Sequence, residues 1–146
     1  MTGRRGAAIG LFLGGVVVAL GSFATWDICP DTSCGRGGGG FMVLVDRSGI
    51  DTGPGIVTLG LGVALALAGL DAFRRGGWSP VWALAVTMAL AAIAVAVLFV
   101  GRTYVFAETL MYGPGTGIGL IALGAVVAAI AGFRLRGASH IEREPV

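Results

Sequence analysis

Two cysteines, Cys29 and Cys34, are the residues of this chain whose type and spacing most directly suggest chemistry. They bracket Cys29-Pro30-Asp31-Thr32-Ser33-Cys34, followed by Gly35, Arg36 and four glycines at 37–40. Thiols this close can close a local disulfide in an oxidising compartment. Such a small ring removes little chain entropy, so it would shape the loop tip more than stabilise the fold. A thiol–disulfide enzyme would need a thiol of lowered pKa, but the spacing is C-x4-C instead of C-x-x-C, and neither a basic residue nor a helix start is placed to lower it. A closed metal site needs two further ligands, and His140, the only histidine, lies at the opposite side of the membrane in the topology derived below. The expectation is a Cys29–Cys34 disulfide, with no metal, no cofactor and no catalytic residue.

Other chemical-looking patterns weaken when their context is added. Gly113-Pro114-Gly115-Thr116-Gly117-Ile118-Gly119 resembles a phosphate-cradling loop but has no Lys and opens an apolar segment. Asp71 precedes Arg74 and Arg75 by one helical turn, which predicts a neutralised pair on one helix face. Glu108 is placed to pair with Arg102, to cap a short helix or to contact an external ligand. The candidate recognition residues are Asp31, Arg36, Arg47, Asp51 and Glu108.

The elements that must position these residues are four apolar runs, 7–26, 55–73, 81–100 and 115–133, which contain a single ionisable side chain, Asp71. Each has the roughly 20 residues that an α-helix needs to cross about 30 Å of hydrocarbon. Between them lie outer loops 27–54 and 101–114 and inner loop 74–80, and a tail covers 134–146. With 55% hydrophobic and 12% charged residues and a mean hydropathy of +0.89, residues 1–146 leave no room for a separate soluble domain. The predicted fold is an all-α, four-helix transmembrane bundle made of two tandem helical hairpins, with a disulfide-bearing outer loop that contains a short strand at Phe41–Val45 and a turn at Asp46–Gly49.

Orientation follows from arginine. Seven Arg (4, 5, 74, 75, 134, 136 and 143) fall on one side and three (36, 47 and 102) on the other, which places both termini in the cytosol. Trp26, Trp78, Trp82, Tyr104 and Tyr112 fall at span ends, where amphipathic rings suit the headgroup layer. All ten basic residues are Arg, and Lys, Asn and Gln are absent, the mark of a GC-rich bacterial genome. Arginines confined to span ends, with a net charge of only +2, argue against nucleic-acid binding. Arg4-Arg5, the apolar stretch to Leu20 and Ser22-Phe23-Ala24 imitate a cleavable signal peptide. The glycine pattern of the same segment assigns it a packing role and predicts that it is retained.

Gly53-Pro54-Gly55 and Phe73-Arg74 recur as Gly113-Pro114-Gly115 and Phe133-Arg134, an offset of 60. Pro fits the first turn of a helix, so each Gly-Pro step marks a helix start, and the repeat suggests either pseudo-symmetry or convergence on the same end signals. Small residues recur at every fourth position: Gly6, Gly10 and Gly14; Gly60, Ala64, Ala68 and Ala72; Gly124, Ala128 and Gly132. In lipid such stripes let helices approach closely, within the bundle or against a partner.

Trp26 after span 1, together with Gly49-Ile50-Asp51-Thr52-Gly53-Pro54-Gly55 leading into span 2, resembles a loose group of small four-span membrane proteins of GC-rich bacteria. That resemblance implies a fold and no activity. The layout is also similar to that of claudins, although the chain lacks a Gly-Leu-Trp ahead of its first cysteine and its cysteines are closer together. The functional expectation is a non-catalytic structural, accessory or assembly-forming subunit of the plasma membrane, embedded in the lipid bilayer as a homo-oligomer or in a larger complex. An oligomeric channel or transporter subunit and a membrane thiol–disulfide oxidoreductase are the alternatives.

Overall fold

The computed structural model describes residues 2–30, 44–51, 53–75, 81–107 and 113–141. Its helices are α1 (Thr2–Phe23), α2 (Pro54–Arg75), α3 (Val81–Ala107) and α4 (Thr116–Ile141), and its strands β1 (Thr25–Pro30), β2 (Leu44–Ser48) and β3 (Gly113–Pro114). All four helices are long and apolar enough to span a membrane. Large apolar side chains, among them Leu20, Leu67, Val97, Leu98 and Leu123, cover the outside of the bundle instead of its interior. That inverted distribution is what a lipid solvent selects, because hydrocarbon makes no demand that Leu or Val be hidden.

The interior is built from small residues. Ala85, Ala89, Ala92 and Ala96 on α3 and Ala125, Ala128 and Ala131 on α4 are buried, with Leu11, Val18, Leu65 and Ile121 filling the remaining space. Helix α1 is the hub, packed tightly and antiparallel against both α2 and α4. Helix α3 leans on α4 and touches α2 only lightly. Both expected hairpins are present, but the α1–α4 contact that joins them is at least as extensive as either.

The largest departure from expectation lies beyond the helices. In place of one strand at 41–45, a three-stranded antiparallel sheet in the order β2-β1-β3 closes one end of the bundle, drawing on both connections at that end. Residues 41–43 lie outside the described residues. Asp46, Arg47 and Ser48 belong to β2, where they pair with Ile28, Asp27 and Thr25, so the turn falls at 49–51. Pairing with a neighbouring strand overrides the weak β propensity of Asp and Ser.

The repeat at offset 60 is also not structurally equivalent. Pro54 starts α2, whereas Pro114 lies in β3 and α4 begins at Thr116.

Candidate functional site at the cap

The register of β1 against β2 slips between Thr25 and Asp27, which leaves Trp26 as the extra residue of a β-bulge. A bulge re-aims a side chain, and here the indole turns into the bundle. Trp26 is completely buried, not set in the headgroup layer as its position at a span end had predicted. Its Nε1–H donates to the Gly21 carbonyl at 2.8 Å, and its ring meets Phe99 edge-on with centroids 5.0 Å apart. Glycines shape the rest of its slot. A Cβ on Gly49 would collide with the indole, and one on Gly117 would come within 2.5 Å of it.

Around Trp26 the unpaired backbone groups at three helix ends are satisfied by the segments that connect the helices. The last carbonyls of a helix have no partner within it, and in lipid they must find one in the protein. At the end of α1, Gly21 accepts from the Trp26 indole, Ser22 from the Ile50 amide at 3.1 Å, and Ala24, just beyond, from the Gly49 amide at 3.2 Å. At the starts of α2 and α4 the Gly55 amide donates to the Gly49 carbonyl at 3.0 Å and the Gly115 amide to the Trp26 carbonyl at 2.9 Å. Each Gly-Pro-Gly motif thus ends in a glycine pressed against backbone: Gly55 against Gly49, Gly115 against Thr25. No side chain fits at either position. Gly53, with φ of 85°, supplies the left-handed step that leads into α2.

One buried side-chain pair completes the knot. The Ser22 and Thr58 hydroxyls are 2.8 Å apart, with the Val18 carbonyl in reach of Ser22 and the Gly55 carbonyl in reach of Thr58; with one proton each, one hydroxyl donates to the other, which in turn donates to the carbonyl of its own helix. They are the buried polar side chains of the described bundle. Nearby, Asp51 closes the turn after β2 by accepting from the Ser48 hydroxyl at 2.7 Å and from the Ser48 amide at 3.3 Å.

Of the other candidate recognition residues, Arg47 lies in β2 with its backbone paired to Asp27, while Asp31, Arg36 and Glu108 lie outside the described residues. The Cys29–Cys34 pairing has one partner, Cys29, in β1, and the other, Cys34, outside the described residues. Among the described residues no group of three or more His, Cys, Asp or Glu could hold a metal ion. Asp71 is bonded to Arg75 at 2.6 Å, one turn on.

The small-residue stripes are partly re-assigned. Gly10 and Gly14 face α4, where a Cβ would lie 3.3 Å from Ala131 and 2.7 Å from the Gly124 carbonyl respectively, while Gly124 and Ala128 face back toward α1 and Gly132 faces Val86 of α3. Gly6 and Gly60 are exposed, and a Cβ on either would meet nothing within 4 Å among the described residues. The close-packing positions on α2 are Gly62 and Gly69, with Ala64 and Ala68 beside them only half-buried. Gly15 and Gly21 on α1, which the every-fourth-residue pattern passes over, are among the tightest contacts in the bundle. Their signal was present as the Gly14-Gly15 pair, which gives a helix two close faces instead of one.

These features define a four-helix, multi-pass membrane protein whose helix ends are tied into a small sheet. No protein-family model, curated protein or solved structure matches the chain.

Proposed function

We propose that the chain is a non-catalytic subunit of the bacterial plasma membrane, structural, accessory or assembly-forming, that presents loop 27–54 outside the cell with both termini in the cytosol. The orientation rests on the arginine bias, seven against three. The observation that carries the functional reading is the use made of buried polarity. Ser22 and Thr58 join the end of α1 to the start of α2, and the Trp26 indole folds back onto the Gly21 carbonyl at the end of α1, so the buried polarity goes into building the cap that carries the segment 31–43 between β1 and β2. A Cys29–Cys34 disulfide would close the root of that segment on the oxidising side. Its partners would be further copies of the chain or another membrane protein.

The runner-up, an oligomeric channel or transporter subunit, would need a path between copies. Thr87, in the second turn of α3, faces outward and bonds the Ala83 carbonyl of its own helix.

The test is native mass spectrometry of the protein in nanodiscs, beside a variant in which residues 31–43 are replaced by a short Gly/Ser linker. The expected result is a defined assembly that the loop replacement dissolves while the subunit keeps its melting temperature. An assembly indifferent to the replacement would refute loop presentation; ion flux through proteoliposomes would favour the channel, and oxidation of a reduced substrate peptide would favour the oxidoreductase.

A further inference from the structure

The end of the bundle opposite the sheet gathers arginines from three helices. The antiparallel contacts fix their levels. Gly10 of α1 lies against Ala131 of α4, and Ala8 and Phe12 of α1 lie against Gly69 of α2. At about 1.5 Å per residue, Arg4 stands about 9 Å beyond Gly10, Arg134 and Arg136 about 4 to 8 Å beyond Ala131, and Arg74 about 8 Å beyond Gly69. All therefore reach the same layer, about one helical turn deep. Arg4 is half-buried on the side of α1 between its Gly10–Gly14 face toward α4 and its Ala8–Gly15 face toward α2, while Arg5, Arg74 and Arg134 are exposed.

Three further observations give this cluster a direction. The guanidinium of Arg136 lies 4.7 Å from the centre of the Trp82 ring, which holds it in place at the α3–α4 seam. The first turn of α1 contains no acidic residue, so Arg4 and Arg5 stand at the positive end of that helix dipole, an arrangement that a nearby anion relieves. In the whole sequence this side carries seven Arg against three acids, Asp71, Glu142 and Glu144, so a positive excess remains whatever the acids pair with. A count of loop charge explains orientation alone. Span ends on one side share a layer in any such bundle; what is particular here is that Arg4 is half-buried among the helices and that Arg136 is held against Trp82.

We infer that the ends of α1, α2 and α4 form a seat for the phosphate headgroup of an anionic phospholipid, its acyl chains lying on the exposed apolar flank of the bundle. Guanidinium suits this role because it presents several N–H donors to phosphate oxygens and is weakly hydrated. Basic groups between transmembrane helices at the anionic leaflet are the general form of such a site.

The experiment is lipid retention by native mass spectrometry, with the full chain in nanodiscs of phosphatidylcholine, with or without phosphatidylglycerol, and with inorganic phosphate as a soluble competitor. Arg5→Gln/Arg134→Gln alters exposed side chains and is the primary variant; Arg4→Gln/Arg136→Gln is the second. Melting in pure phosphatidylcholine reports the fold of each. The expected result is selective retention of phosphatidylglycerol by the native chain, at least tenfold weaker in the primary variant and insensitive to millimolar phosphate. Equal retention of the two lipids, unchanged retention in a folded primary variant, or displacement by phosphate alone would each overturn the assignment.

Discussion

The hydroxyls of Ser22 and Thr58, 2.8 Å apart, join the last turn of α1 to the first turn of α2. Both side chains are fully buried, and each has a carbonyl of its own helix in reach, so a hydroxyl that loses its partner can turn its proton to that carbonyl. Hydrogen bonds between transmembrane helices contribute on average only about 0.6 kcal/mol. Ser22→Ala and Thr58→Val should therefore each cost about 0.5–1.5 kcal/mol, and a double-mutant cycle of reversible unfolding in mixed detergent should return a coupling of roughly 0.6 kcal/mol. A coupling indistinguishable from zero would mean that the pair only fills space.

Trp26 combines a shape role with a donor role, and two substitutions separate them. Trp26→Ala should cost about 3–5 kcal/mol by opening a cavity among Gly49, Gly117 and Phe99. Trp26→Phe keeps an aromatic ring against Phe99 but leaves the Gly21 carbonyl without its indole donor, at about 1–3 kcal/mol. Thermal unfolding should rank native above Trp26→Phe above Trp26→Ala; equal loss in both variants would show that the hydrogen bond carries the whole effect.

Glycine substitutions should divide by face. Gly14→Ala and Gly15→Ala drive a methyl into the backbone of α4 and α2 respectively and should lower stability by about 1–3 kcal/mol. Gly6→Ala and Gly60→Ala meet nothing within 4 Å among the described residues and should be neutral or stabilising by up to about 1 kcal/mol, because Ala is the better helix former. Melting temperatures of the four single variants decide the point. Loss at Gly60 equal to that at Gly14 would identify its exposed face as an interface with another chain.

Labelling tests the topology and the cysteines together. In intact cells an impermeant maleimide should leave Cys29 and Cys34 unmodified until a reductant is added, and should then label both. The Cys29→Ser/Cys34→Ser variant should insert normally and melt within a few degrees of the native chain, because so small a ring closes little entropy. Labelling that requires permeabilised cells would reverse the orientation, and labelling without reductant would remove the disulfide.

How much of this was legible in the sequence differs by element. The four helices were, because their runs of 18 or more apolar residues have no soluble counterpart. Gly10, Gly14, Gly124 and Ala128 were also legible as close contacts, since helical spacing alone puts them on one stripe. The cap was not. Its strand β1 is Thr-Trp-Asp-Ile-Cys-Pro, without strict alternation, and it exists because β2 and β3, distant in sequence, flank it. For the same reason Trp26 read as an interfacial belt residue: the bulge that turns it inward depends on a register set by Ser48 and Arg47. Gly53-Pro54-Gly55 was visible as a helix start, whereas Gly113-Pro114 turned out to be strand; the final glycines answer to backbone folded against them, Gly49 for Gly55 and Thr25 for Gly115, which no helix-start pattern encodes.

The order of manufacture runs against the order of contact. α1 is made before the other three helices, yet one of its two main neighbours, α4, is made after them, and β3, which completes the sheet beside β1, immediately precedes α4. Until that final segment inserts, Gly10, Gly14 and Gly21 of α1 face lipid, the Trp26 carbonyl lacks the Gly115 amide, and one edge of β1 has no partner. A nascent chain stalled before residue 113 would therefore display a notched helix and an open strand edge to the insertion machinery and to membrane proteases. Arrival of the fourth helix covers both at once, so the packing of α1 is finished only when α4 is in place.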